Sequence, residues 1–405
     1  MKKFLLCSTI ISLTAGVAFA DAPLNPNFSL GGVANFESGF RSQKKDYKQD
    51  LSTHQKDVIF KNTARIYAKA EGQADAGFKY GAVVGLKTTV DKSRKNASDN
   101  LDRSYLFVES EAGRIELGSN HSAGKTMKVD SSNFARATGG VNGSWYKYYN
   151  FGYKSLDTDY ADAPFLTSGD NFVDYLNKWS DEDTRKITYY SPRMSGFQFG
   201  VSYTPDATNR GNNTREDNKY VGYNDAASSL NIKDLFSAGL NYTQQFDQMT
   251  LSLSATGETG KVNHKIANIK NTKNTQSYAF GGSLEYANLT FGGSYGVMSK
   301  KNFAANVSDA PLFSYIGKDA KYWSAGVGYV QGPIGASVNY FESDLKGTNV
   351  HNTLKAVSVG VDYKLAAGML PYAEVTMLDP RAKTVGTATP RNKGSVFIVG
   401  TQFKF

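Results

Sequence analysis

Residues 58–71 read VIFKNTARIYAKAE, and the character of the side chain changes at nearly every step. Val58, Phe60, Ala64, Ile66, Ala68 and Ala70 share one face of an extended chain, interrupted only by Asn62. Lys61, Thr63, Arg65, Tyr67, Lys69 and Glu71 share the other, with Ile59 as the exception. Successive side chains of a β-strand point to opposite faces, so this period of two describes a strand with an oily side and a charged side.

The pattern recurs along the chain. Phe78, Tyr80, Ala82, Val84, Leu86 and Val90 alternate with Lys79, Gly81, Gly85, Lys87 and Thr89. Phe197, Phe199, Val201 and Tyr203 alternate with Gln198, Gly200 and Ser202, and Phe236 to Tyr242 follows the same rule. At the C-terminus Phe397, Val399, Thr401, Phe403 and Phe405 oppose Ile398, Gly400, Gln402 and Lys404. A soluble sandwich also alternates. Two features favour a closed barrel in lipid instead. The wet faces are small as well as polar (Gly, Ser, Thr, Asn), and Tyr or Phe recurs at strand ends, as aromatic girdles require. A sheet in hydrocarbon must close on itself, because every backbone N–H and C=O needs an internal partner.

The N-terminus indicates the compartment. Lys2 and Lys3 precede an apolar run from Phe4 to Val17, and Ala18-Phe19-Ala20 supplies small residues before Asp21. This predicts a secretory signal peptide at 1–20, its apolar part too short to span a bilayer. Cys7, the one cysteine, lies inside that run and not at the head of the mature chain, which argues against a lipid anchor. The mature chain, 21–405, is read as one barrel domain without disulfides, held by backbone pairing and packing. The 46 Lys and Arg against 37 Asp and Glu leave a net charge of +9. No run of five like charges and no nucleic-acid motif accompanies it, so no nucleic-acid partner is expected. No stretch of about 18 apolar residues follows residue 20, so helical membrane spans are excluded.

Sixteen strands are predicted, near 27–39, 58–71, 77–90, 101–111, 113–119, 185–192, 196–204, 235–246, 248–259, 276–287, 289–299, 320–330, 334–345, 353–365, 370–379 and 394–405. Seven tight turns and eight longer loops alternate between them. That is the plan of an up-and-down barrel with both termini on the periplasmic side.

One loop, 120–184, exceeds ordinary loop lengths. It carries Asp157, Asp159, Asp162 and Asp170 among nine acids, and the aromatics Trp145, Tyr146, Tyr148, Tyr149 and Phe151. Either it folds into the lumen and narrows it, or it is an exposed surface loop. The wet faces of the early strands concentrate cations: Lys61, Arg65, Lys69, Lys79, Lys87, Arg103 and Arg114. A basic wall facing acidic loop residues sets a transverse field across a narrow aqueous gap. Enzymatic readings find little support. His54, His121, His264 and His351 all fall in predicted loops, and no HExxH, GxSxG or P-loop pattern occurs. No catalysis, metal or cofactor is expected.

Four local features give the chain a resemblance to the Gram-negative general porins. Gly113-Arg114-Ile115-Glu116-Leu117-Gly118 resembles the strand leading into that family's pore-constricting third loop. Ile187-Thr188-Tyr189-Tyr190-Ser191-Pro192, followed by Gly196-Phe197, resembles the hairpin after that loop. Phe405 and Phe403 match the terminal signal read by the barrel assembly machinery, and the sixteen-strand plan with an oversized third loop spans the mature chain. The resemblance implies an all-β, 16-stranded antiparallel transmembrane β-barrel with its third loop folded into the lumen. It also implies a homotrimer in the outer membrane, in contact with lipid and lipopolysaccharide, passing ions and small hydrophilic solutes. Carried over by position, Arg65 and Arg103 lead the wall cluster, followed by Lys61, Lys87 and Arg114. The family's proline-glutamate-phenylalanine-glycine pattern is echoed only by Ala163-Pro164-Phe165, without the glutamate. Two alternatives stand beside a diffusion pore: a substrate-selective channel with a sugar-stacking path on the loop aromatics, and an adhesin or structural barrel with a plugged lumen.

Overall fold

A strand that is apolar on one face gains nothing alone; it needs neighbours for its backbone and a medium for its oily side. The computed structural model describes residues 26–43, 57–74, 77–89, 101–149, 184–206, 232–262, 274–298, 319–346, 350–384 and 391–405. The predicted signal peptide lies outside them.

The strands are β1 (Asn27–Ser42), β2 (Val58–Gln73), β3 (Lys79–Thr89), β4 (Leu101–Ser110), β5 (Gly113–Ser119), β6 (Arg185–Tyr190), β7 (Phe197–Asp206) and β8 (Ile232–Phe246). They continue with β9 (Met249–Val262), β10 (Thr275–Tyr286), β11 (Leu289–Met298), β12 (Ala320–Gln331), β13 (Ile334–Lys346), β14 (Val350–Tyr363), β15 (Met369–Thr384) and β16 (Gly394–Lys404). Each pairs antiparallel with its sequence neighbours, and β1 closes the sheet on β16 from Val33↔Lys404 to Ser42↔Ser395. No edge remains. The C-terminus joins the seam, because the Gly32 amide donates to the Phe405 carbonyl at 2.8 Å and the Phe405 amide returns a bond at 3.1 Å.

The register confirms the alternation. Phe60, Leu106, Phe280 and Val338 stand exposed on the outer face. Rings gather near both strand ends on that face. Phe197 and Tyr242 (4.6 Å between centroids) lie at the tight-turn end; Tyr203 with Phe236 (4.9 Å) and Trp323 with Tyr340 (4.7 Å) lie towards the long loops. These are the two girdles expected of a membrane barrel. Tight turns use the left-handed backbone that matches strand twist: Asp247 has φ 51° and Gly332 φ 58°.

Several strands run beyond their predicted ends. β14 starts at Val350 and β15 continues to Thr384. His351 is therefore a strand residue, contrary to its assignment to a loop. Above the lipid both faces of a strand are wet, so the period-two signal fades while the backbone pairing continues.

Candidate pore constriction

The long loop leaves β5 and turns inward. Its described part, 120–149, is a strap of one short helix, α1 (Ala123–Thr126), and three helical turns at Ser131–Phe134, Gly140–Asn142 and Ser144–Lys147. The strap follows the inner wall strand by strand. The Ala123 amide donates to Ser202 Oγ of β7 at 2.7 Å, and the Gly124 amide to Ser237 Oγ of β8 at 3.0 Å. The Val129 amide reaches Ser254 Oγ of β9 at 2.8 Å, and the Arg136 amide Ser337 Oγ of β13 at 2.8 Å. Arg136 Nη2 pairs with Asp362 of β14 at 2.6 Å. The Thr138 hydroxyl, at 2.6 Å, and the Thr138 and Gly140 amides, at 3.1 and 3.2 Å, all donate to Glu374 of β15. Ser144 Oγ and Tyr148 Oη then donate to Glu37 of β1 at 2.9 and 3.1 Å, and Lys61 of β2 donates to the Lys147 carbonyl at 2.9 Å.

Small wall residues make the track. A Cβ on Gly281 of β10 would fall 1.7 Å from the Val129 carbonyl oxygen, which no rotamer relieves. Gly292 and Gly328 give the same room to the Phe134 ring. Serine hydroxyls between them accept strap amides that would otherwise be stranded away from water.

Hydrogen bonds alone do not hold thirty residues in place. Each contributes about 0.5–1.5 kcal/mol net, against roughly 1–2 kcal/mol of backbone entropy per ordered residue. An apolar bed on β11–β16 adds to them. Tyr322, Phe341, Leu354, Leu378, Val396 and Ile398 point inward and enclose Val141, Trp145, Tyr148 and Tyr149 of the strap. An aromatic side chain buries about 150–250 Å², which at about 25 cal/mol/Å² is roughly 4–6 kcal/mol per ring. The aromatic burial is the main fastening. Burial beside Glu37 also pushes the Tyr148 hydroxyl well above its usual range, so it stays protonated and remains a donor.

The bonds above skip the arc from β3 to β5, apart from the strap's root. There Asn120 donates to Glu116 at 2.7 Å and His121 Nε2 lies 2.7 Å from Arg103 Nη2. A guanidinium only donates, so the imidazole accepts at Nε2. On this arc Asp102, 2% exposed, sits 3.7 Å from Arg65 Nε and 4.0 Å from Arg103 Nε, and accepts from Tyr67 Oη at 2.8 Å. Arg65 and Arg103 remain 32% and 25% exposed. One carboxylate thus orients two arginines along the rim of whatever space the strap leaves.

This chain matches the family model of Gram-negative porins over residues 7–383. It belongs to the Gram-negative porin family. Full-length relatives in Rickettsia felis and Rickettsia bellii, 31% and 30% identical over 100% of both chains, are described only as uncharacterized proteins. A solved triple mutant of Rhodopseudomonas blastica porin is 14% identical, with a TM-score of 0.53, covering 93% of this chain and 100% of that one. At that identity the likeness speaks for the barrel alone.

In this porin the wall cations separate by their partners. Arg65 and Arg103 converge on Asp102, and Lys87 stands opposite Arg65 in the register. Arg114 is held between Glu109 and Glu116, both at 2.8 Å, over the Phe107 ring at 4.1 Å. Lys69 pairs with Glu71 at 2.5 Å, and Lys79 lies exposed at the start of β3. Lys61 serves the strap, with its ammonium 5.2 Å from the Tyr148 centroid. Asp157, Asp159, Asp162 and Asp170 lie outside the described residues. Trp145, Tyr148 and Tyr149 are buried under the strap, so these rings offer no stacking path to a sugar, whereas Tyr146 is exposed.

Sequence reasoning missed Asp102, because strict alternation puts it opposite Arg103. A register shift between Gly85 and Leu86 inserts it as an extra residue and brings both inside. It also missed Glu37, Asp362 and Glu374. Their signal was present in part: each is an acid on an inward strand face, next along that face to a small residue, Gly39, Gly360 or Thr376.

Proposed function

We propose that this porin is an outer-membrane diffusion channel for ions and small hydrophilic solutes. The observation that carries this reading is the path of the strap along the wall, from β7 round to β2. A strap bonded flat to the wall narrows a lumen without crossing it. The apolar outer face and paired backbone suit lipid; the small polar inner faces suit water. In this reading Arg65, Arg103 and Lys87 border the aqueous path and bias it electrostatically. Arg114 and Lys69, each beside a carboxylate, contribute less field. The loop acids Asp157, Asp159, Asp162 and Asp170 are assigned to the facing side on the family resemblance. The same resemblance supports a homotrimer, secretion by a leader at 1–20, and assembly guided by Phe403 and Phe405.

Liposome swelling provides the test. Vesicles carrying the purified chain should admit small neutral sugars at rates that fall smoothly with solute size. Uptake of one sugar class with exclusion of others of equal size would favour a selective channel instead.

A further inference from the structure

The bulge in β4 shapes what the inner wall from β2 to β4 can bind. Asp102, the inserted residue, is 2% exposed and lies 3.7 Å from Arg65 Nε and 4.0 Å from Arg103 Nε. Those separations are ion contacts, too long for hydrogen bonds. Asp102 accepts its hydrogen bond from Tyr67 Oη, at 2.8 Å. The Tyr67 ring lies over Gly85, where a Cβ would fall 2.7 Å from a ring carbon, and the Arg103 guanidinium stands 5.9 Å from the ring centroid. Tyr67 thus fixes the carboxylate, and the carboxylate keeps together two guanidiniums that would otherwise repel each other.

The acid gathers the arginines without using up their donors. A guanidinium carries five N–H groups and accepts nothing. Arg103 directs one amino group to His121 Nε2, at 2.7 Å, and its Nε is buried without an acceptor among the described residues. Buried donors are normally satisfied, so such an atom calls for an oxygen. Lys87 stands opposite Arg65 in the register and forms no ion pair among the described residues. Arg65, Arg103 and Lys87 against Asp102 leave two positive charges unbalanced. A tetrahedral dianion matches both the charge and the donors. Planar guanidiniums offer its oxygens paired N–H bonds, and the ammonium adds a point charge.

We infer that Arg65, Arg103 and Lys87 form a seat for a tetrahedral dianion, sulfate or the phosphate group of a small solute, with Asp102 as the positioning residue. The seat rests on the reading of these side chains as bordering an aqueous path. A solute crossing the gap pauses there with its anionic group on the arginines. A field alone attracts every anion according to its charge; a pair of forks selects by the placing of oxygens.

The full chain is tested in two ways. Sulfate and inorganic phosphate are each titrated into the purified chain in neutral detergent by calorimetry, with chloride as reference, and each is added to chloride-filled channels in a planar bilayer. Saturable binding at millimolar levels and a matching partial block of the chloride current are expected, and the tighter of the two anions identifies the solute class. Arg65→Lys and Arg103→Lys keep the charge and remove the fork, so each should weaken the dianion about tenfold. Asp102→Asn separates positioning from field. It adds positive charge, so a simple field would tighten the dianion, whereas loss of the carboxylate that gathers the arginines should weaken it about tenfold. Should that variant fail to fold, Tyr67→Phe keeps the charge, releases the carboxylate and should weaken the dianion about threefold. Tighter binding by Asp102→Asn, or lysine variants that bind like the parent chain, would overturn the seat. A conducting chain that binds sulfate and phosphate no better than chloride would overturn it too and leave the channel standing. Saturable binding by a chain that passes no current would support the seat while sinking the channel.

Discussion

Deletion of residues 125–180 is expected to raise single-channel conductance roughly two- to threefold, because the bore that limits ion flow widens when its lining is removed. The strap occupies the inner wall from β7 to β2, and over β7 to β11 the wall under it is small and polar enough to become water-lined. Two point variants should act in the same direction with smaller effect. Trp145→Ala removes a ring that is 1% exposed and should cost about 3–5 kcal/mol of anchoring. Glu374→Ala strands the Thr138 and Gly140 amides, at about 1–3 kcal/mol for each unsatisfied group. Noisier, higher currents are the expected reading for both. If the deletion variant folds and conducts like the parent chain, the strap does not set the bore.

Charge reversal at Arg65 and Arg103 should produce the largest change in selectivity. The wild-type arc carries these two arginines and Lys87 around one buried carboxylate, Asp102. Replacing both arginines by glutamate turns a net positive rim into a net negative one. The cation-to-anion permeability ratio should rise about tenfold, the ratio that a change of about 1.4 kcal/mol in ion energy produces. Reversal potential in a salt gradient measures it. An unmoved potential would show that these side chains do not border the ion path.

The barrel was legible because lipid and water impose opposite demands on alternate side chains. Wherever the strand lies in the membrane, as at Val58–Glu71 or Phe397–Phe405, the period of two locates it. Where the strand leaves the lipid, as at Val350–Asn352 and Asp379–Thr384, both faces are wet and the signal stops before the hydrogen bonding does. The strap was harder to read. Its bed consists of apolar residues on the wet face, such as Phe341, Leu354, Leu378 and Ile398. Taken singly these look like lapses in the alternation; taken together they mark a second buried surface inside the barrel. The serines and glycines of the wall were equally ambiguous, since small polar residues suit a water lining and a docked backbone alike. Asp102 escaped because a bulge changes which face a residue occupies, and a single strand gives no sign of one.

The most direct measurement is electrical. Purified chain added to a planar bilayer should give discrete current steps that scale linearly with voltage, each step one channel or one trimer opening to water. A correctly folded barrel, resistant to denaturation until heated, that crosses the bilayer and passes no current would contradict an open lumen.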